Sequence, residues 1–407
     1  MERREFLRFA AAGIGAAVVG GGLSPTFAAE PGLERRNERP GMVYVRFGRT
    51  NLAVSRIVQG CLHINRDRIP VLAKLYDAGV NLYDTSHVYG GGKSEETLGE
   101  FFADAGRRKN VFICTKMNLI PQLKAGQGVY EKAMTMAGAA LKRLRTDCVD
   151  IMMLHGCSTL IDWVENPDWL RAAEDLKKQG KIRFVGISEH SKPAEVVQRA
   201  AACGRYDCAM VAFSLVKAEW GGMARTDMPS MDPGLKAARE KDLGIVAIKA
   251  ALKAEEMLAK TTDPKLKARG YSPYQLCYRY ILGVPGVHAV TCGMSTLAHV
   301  AENLAVPAIE LAAAEWQGVR QAAAASGVCG FCGTCLGVCP GGVAVQDILR
   351  FHGYASHGHV AAAREAYAAL PPESQAPACR DCGRCEDLCP GRVPIRRQLR
   401  AAHAALA

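Results

Sequence analysis

Two sets of residues in this 407-residue sequence have types and spacings that could do chemistry. The first begins in Asn81-Leu82-Tyr83-Asp84-Thr85-Ser86-His87-Val88-Tyr89-Gly90, where the apolar run Val80–Tyr83 turns abruptly polar. A buried strand looks like this as it leaves a core and enters a loop. Asp84 and Tyr89 stand five residues apart across that exit. Lys116 ends the next strand-like run, His155 the one after it, and Ser188 the one after that. Asp, Tyr, Lys and His are side chains from which proton-transfer sites are built. Taken singly, each has an ordinary explanation: a strand-end Lys is usually solvated, and a lone His is usually a satisfied polar residue. Asp84, Lys116, His155 and Ser188 at consecutive strand ends point instead to one site.

The second set is a pair of cysteine runs. Cys329-x2-Cys332-x2-Cys335-x3-Cys339-Pro340 is repeated as Cys379-x2-Cys382-x2-Cys385-x3-Cys389-Pro390. Zinc favours separated C-x2-C pairs, not four close Cys ending in Cys-Pro. The runs resemble those that ligate [4Fe–4S] clusters in bacterial-type ferredoxins. Gly330, Gly333 and Gly383 let the chain fold tightly there. The resemblance implies that each fourth Cys serves the other cluster. One cluster then takes Cys329, Cys332, Cys335 and Cys389, and the other Cys379, Cys382, Cys385 and Cys339. The remaining eight of the sixteen Cys are scattered, mostly in apolar segments, as small buried hydrophobes.

The elements that must position the first set repeat a strand–helix rhythm. Strands are predicted at Arg56–Cys61, Val80–Tyr83, Val111–Thr115, Val149–Leu154, Ile182–Ile187, Cys208–Ala212, Gly244–Ile248 and Val287–Thr291. Helical stretches such as Ser94–Asp104, Tyr130–Leu144, Trp169–Gln179 and Pro193–Cys203 lie between them. Eight near-continuous apolar strands alternating with helices predict an α/β fold, a parallel (β/α)8 TIM barrel. An open doubly wound sheet is the alternative, but no G-x-G-x-x-G follows the first strand. A hairpin, Val43–Phe47 returning at Leu52–Val54, precedes the barrel. The predicted order is a signal at 1–29, a linker at 30–41, the barrel at 42–305, a connecting helix at 306–326 and a small, mainly helical, ferredoxin-like iron–sulfur domain at 327–407.

At Asp84 and Tyr89 the sequence resembles the aldo-keto reductases, in a D-T-x-x-x-Y-G setting, with Lys116 and His155 at the later strand ends that family uses. The resemblance implies that Tyr89 is the general acid protonating a carbonyl oxygen as hydride reaches carbon. Lys116 then lowers the Tyr pKa, Asp84 holds Lys116 charged, and His155 orients the substrate oxygen. Gly186-Ile187-Ser188-Glu189 resembles the G-x-S-N segment that holds the nicotinamide carboxamide, with Glu189 in place of Asn. On the next strand Met210 stands where the family has Gln, and Phe213 matches the aromatic that stacks on the ring. Gly293, Ser295, His299, Glu302 and Asn303 lie in a stretch similar to the adenosine-phosphate segment, with His299 at the position of the basic residue that grips a 2′-phosphate. NADP or NAD is the implied cofactor, beside two [4Fe–4S] clusters.

The ends of the chain bear on where it works. Arg3-Arg4-Glu5-Phe6-Leu7-Arg8 resembles the twin-arginine export consensus, with Glu2 where Ser or Thr is preferred. Ala10–Leu23 is short and Gly-rich for a membrane span, and Thr26-Phe27-Ala28 suits cleavage; left uncut, the segment would be an anchor. Export to the periplasm or cell exterior is expected, with the twin-arginine machinery as a partner. At 49% hydrophobic and 22% charged residues the chain is globular. Its net charge of +11 is spread out, with a modest cluster at Arg392, Arg396, Arg397 and Arg400. No dense basic patch among aromatics suggests nucleic acid; that cluster suits an acidic redox partner protein. The expected function is an oxidoreductase interconverting a small carbonyl compound and its alcohol, with electrons from the clusters, NAD(P)H or both. The alternative is an iron–sulfur electron-transfer protein whose barrel is a scaffold.

Overall fold

The computed structural model describes residues 32–103, 106–156, 161–190, 192–214, 228–251, 269–312, 337–356, 360–389 and 393–407, with isolated positions 254, 315, 319 and 335. Three strands precede the barrel: β1 (Glu34–Arg35), β2 (Tyr44–Arg46) and β3 (Leu52–Ser55). Then β4 (Ile57–Gly60), β5 (Leu82–Asp84), β6 (Phe112–Met117), β7 (Val149–His155), β8 (Ile182–Glu189), β9 (Cys208–Ala212), β10 (Gly244–Ile248) and β11 (Ala289–Cys292) close a parallel barrel. Both faces of these strands are covered, so they read as unbroken apolar runs. Their residues nonetheless alternate. Ile151 and Met153 of β7 join the barrel interior, while Met152 and Leu154 pack outward against the helices.

The barrel floor is closed by the hairpin. Phe47, Leu52 and Val54 belong to the interior cluster, and the Phe47 ring meets His288 edge-on at 5.7 Å. The hairpin differs from its simple reading. A 3-10 turn, Gly48–Thr50, separates the strands, and β3 also pairs with β1 inside the stretch that reads as a linker. Buried Asp150 explains why β1 docks. Its carboxylate binds Arg183 at 2.7 Å, Arg108 at 2.9 Å and Arg36 at 3.3 Å, and Arg183 also pairs with Glu34. A buried carboxylate needs such partners, and only the folded chain collects them.

After β11, helix Leu297–Leu304 is followed by a 3-10 turn at Val306–Ala308, and 309–312 are not helical. Most of the expected connecting helix lies outside the described residues. The tail comprises helices Val345–Ser356, Val360–Ala368, Arg384–Asp387 and Ile395–Leu406 around an apolar cluster of its own, including Ile348, Leu349, Tyr367, Leu399 and Leu406. Among the described residues no helix is long and apolar enough to cross a membrane.

Candidate active site

Strand alternation explains the convergence of the polar residues. Asp84 continues the inward set after Leu82, Lys116 continues Phe112 and Cys114, and His155 continues Ile151 and Met153. Ladder pairing carries the row on, with His155 opposite Ser188 and Ser188 opposite Met210. The apolar interior therefore ends in polar groups at the C-terminal rim, where barrels carry their chemistry.

Lys116 is the hub. Its ammonium donates to the Asp84 carboxylate, to the Thr85 carbonyl at 2.9 Å and to the Tyr89 hydroxyl at 3.1 Å. The Lys116 and Asp84 side chains are 1% and 3% exposed. Burial alone would lower the Lys116 pKa. The Asp84 carboxylate, with Tyr89 and Cys114, outweighs that and holds it above its ordinary value. Burial raises the Asp84 carboxyl, offset in part by Lys116. The loop that delivers Tyr89 is pinned at both ends. Thr85 and Ser94 share a hydrogen bond of 2.8 Å, and Ser94 donates to the Cys61 carbonyl. Gly90, Gly91 and Gly92 all take positive φ, which turns the chain from Tyr89 into helix Lys93–Phe102 within one turn.

His155 is held neutral: burial pushes its pKa well down, and the charges of Lys116 and Arg350 add to this. A neutral imidazole can still donate one hydrogen bond to a substrate oxygen. Three further residues lie at this rim. The His87 ring nitrogen Nδ1 is 3.1 Å from the Lys116 carbonyl. The His190 ring centroid is 5.9 Å from that of His155. Lys249, the first residue past β10, has a φ of +61° and acts electrostatically on Asp84, His155 and His190. Lys249 could have been found in the sequence by the strand-end rule that finds Lys116.

The residues matched to nicotinamide contacts are dispersed. Ser188 is fully buried and its hydroxyl has no hydrogen-bond partner. Glu189, also buried, accepts from the His190 backbone N–H at 2.7 Å. Met210 fills the barrel interior, whereas Phe213 packs with Ala209 and Val211 in the outer cluster. On the last strand–helix connection Gly293 and His299 are exposed and Ser295 and Glu302 half-buried. The Ser295 hydroxyl is 3.4 Å from His299 Nδ1, and buried Asn303 leaves its side-chain carbonyl unpaired.

A model of the aldo/keto reductase family matches residues 64–250 and 201–324. This chain belongs to the aldo/keto reductase family. The chain is 32% identical to the fission yeast (Schizosaccharomyces pombe) aldo-keto reductase yakc [NADP(+)] over 43% of this chain and 49% of that one. It is 27% identical to an aryl-alcohol dehydrogenase of Pestalotiopsis microspora over 62% and 71%. Its fold matches an aldo-keto reductase from Klebsiella pneumoniae solved with NADPH, with TM-score 0.55, 23% identity, and 70% and 95% of the two chains covered. A reductase from Bacillus halodurans in its holo form matches with TM-score 0.53, 22% identity, and 70% and 97% covered.

The matching family model ends at residue 324, before the cysteine tail. Cys335, Cys339, Cys379, Cys385 and Cys389 all pack on the tail's single apolar cluster, and Cys382 is exposed. The two runs meet: a Cβ on Gly341 would stand 2.7 Å from the Ala378 carbonyl, beside Cys379. Among the described residues no three His, Cys, Asp or Glu side chains are gathered to hold one ion. Cys329 and Cys332 lie outside the described residues.

Proposed function

We propose that the barrel interconverts a carbonyl and a hydroxyl group, with Tyr89 as the proton donor. The observation that carries this reading is the Lys116 ammonium, buried with Asp84 and 3.1 Å from the Tyr89 hydroxyl. When the carbonyl oxygen takes the Tyr89 proton, a phenolate is left, and the adjacent ammonium stabilises it in a site of low dielectric. Neutral His155 donates to the same oxygen and fixes its position. A nicotinamide held beside Ser188 would supply the hydride for the carbonyl carbon. NADP(H) is supported by the yeast relative's name and by the NADPH complex of the Klebsiella protein. The unpartnered Ser188 hydroxyl fits a carboxamide, while Glu189, Met210 and His299 weaken the expected grip on the dinucleotide.

The tail is proposed to hold two [4Fe–4S] clusters. The all-thiolate donor set, its repeated spacing and the contact of the two runs at Gly341 support this. Bound clusters would supply single-electron transfer; of the basic cluster, Arg396 is paired with Glu386 and Arg400 with Asp381, and Arg397 is the exposed cation that would meet an acidic partner. The Arg3-Arg4 signal supports export by a route that moves folded proteins, as a protein loaded with clusters inside the cell requires. Tyr89→Phe tests the barrel reading. It removes only the hydroxyl and is expected to lower carbonyl reduction by about 10²–10⁴ with the melting temperature retained. Activity within a few-fold of wild type would refute the role of Tyr89.

A further inference from the structure

The N-terminal end of the barrel, opposite the polar rim, carries a basic cavity of about 460 Å³. That is within the size range of small-molecule sites. Its walls come from the end of helix Lys93–Phe102, the 3-10 turn Arg108–Asn110 and the segment that leads into β7. Asp150, which lines it, is the second residue of β7, and His155 is the last. Five residues of strand separate the two by roughly 16 Å, so this cavity is distinct from the site at the rim.

Five cations line the cavity: Arg36, Arg108, Lys109, Arg145 and Arg183. Two carboxylates oppose them, Asp150 within the cavity and Glu34, which pairs with Arg36 and Arg183. Five less two leaves three positive charges unbalanced. The three arginines on Asp150 are otherwise engaged by Glu34 and by the Val111 and Cys148 carbonyls. Lys109 and Arg145 are not. Both are exposed, and among the described residues neither side chain has an ion pair or hydrogen bond. The half-buried arginines behind them add to the field that draws an anion in.

The backbone gives a second sign at Arg145. This residue ends helix Val129–Leu144 in the left-handed region, with φ 51° and ψ 45°. The Thr146 N–H then donates to the Leu141 carbonyl at 3.2 Å. Glycine is the usual residue at such a helix end, because a Cβ is strained there. A long cationic side chain held at that position points to a use for it. The other lining groups do not oppose an anion. Burial and the Asp150 charge push the Cys148 thiol up, so it stays neutral. Phe102 and Ala103 give the cavity an apolar side.

We propose that this cavity is a second ligand site, in which Lys109 and Arg145 bind the phosphoryl group of a small organic phosphate whose apolar part lies toward Phe102 and Ala103. A phosphate monoester carries about −1.5 to −2 charge at pH 7 and three acceptor oxygens. Two free cations, one of them a planar guanidinium, suit such a group. The proposal does not depend on the carbonyl chemistry at the other end of the barrel.

The test is calorimetry on the full-length protein with phenyl phosphate, and with phenyl sulfate as a monoanion of the same shape. Wild type is expected to bind the phosphate about tenfold more tightly than the sulfate. Lys109→Ala and Arg145→Gly should each weaken phosphate binding by about tenfold or more, the loss of a charged contact. Arg145→Gly should also melt no lower than wild type, because glycine relieves the left-handed backbone, so its lost binding is not lost folding. If both variants bind as wild type does, the phosphate sits elsewhere and the proposal is overturned. It is overturned equally if wild type binds the phosphate no better than the sulfate, or binds neither.

Discussion

Replacing Asp84 by Asn perturbs the centre of the site with the least change of shape. Asn keeps an oxygen that can accept from Lys116, and the ammonium retains the Thr85 carbonyl and the Tyr89 hydroxyl. What disappears is the counter-charge of a side chain that is 1% exposed. Two unit charges about 3 Å apart interact by roughly 5 kcal/mol at an effective dielectric of about 20. Breaking a buried pair by removing one partner costs about 3–5 kcal/mol. At about 2–4 °C per kcal/mol, the melting temperature should fall by roughly 10 °C. The pH dependence separates a charge effect from a packing effect. In wild type the raised Lys116 pKa contributes stability that is complete below the unfolded value near about 10.4 and is lost only as pH rises through the folded value. In Asp84→Asn the main raising influence is gone and burial pushes Lys116 below its unfolded pKa. The unfolded chain then binds more protons, and stability climbs as pH rises. The deficit relative to wild type should therefore be largest near pH 7 and shrink toward pH 10. Melts followed by circular dichroism across that range measure it. A deficit that is absent, or constant with pH, would refute the claim that Asp84 keeps Lys116 charged.

Full-length protein prepared anaerobically should carry two clusters' worth of iron with broad brown absorbance, and Cys335→Ala should lose one cluster; stoichiometric zinc without iron contradicts this. NADPH and NADH should bind weakly and within about tenfold of each other by calorimetry, and His299→Arg should favour NADPH by adding a fixed charge at the phosphate position; tight NADPH-selective binding by wild type refutes this. Lys at both Arg3 and Arg4 should retain the protein in the cytoplasm on cell fractionation, while wild type is exported; an identical cytoplasmic distribution of the two defeats the export reading.

The barrel and its polar rim were legible in the sequence because they rest on local patterns. Each strand is one continuous apolar run, and its inward parity is fixed by a period of two, so Asp84, Lys116 and His155 are placed by counting from Leu82, Cys114 and Met153. The same parity sends Phe213 outward with Ala209 and Val211. Other features needed the folded chain. β1 looks like linker because two residues carry no periodicity, and it docks through Asp150 and three arginines drawn from distant segments. Asp150 is the clearest case: a buried carboxylate must be paired, and Arg36, Arg108 and Arg183 lie far apart in sequence, so only the closed barrel brings them to it.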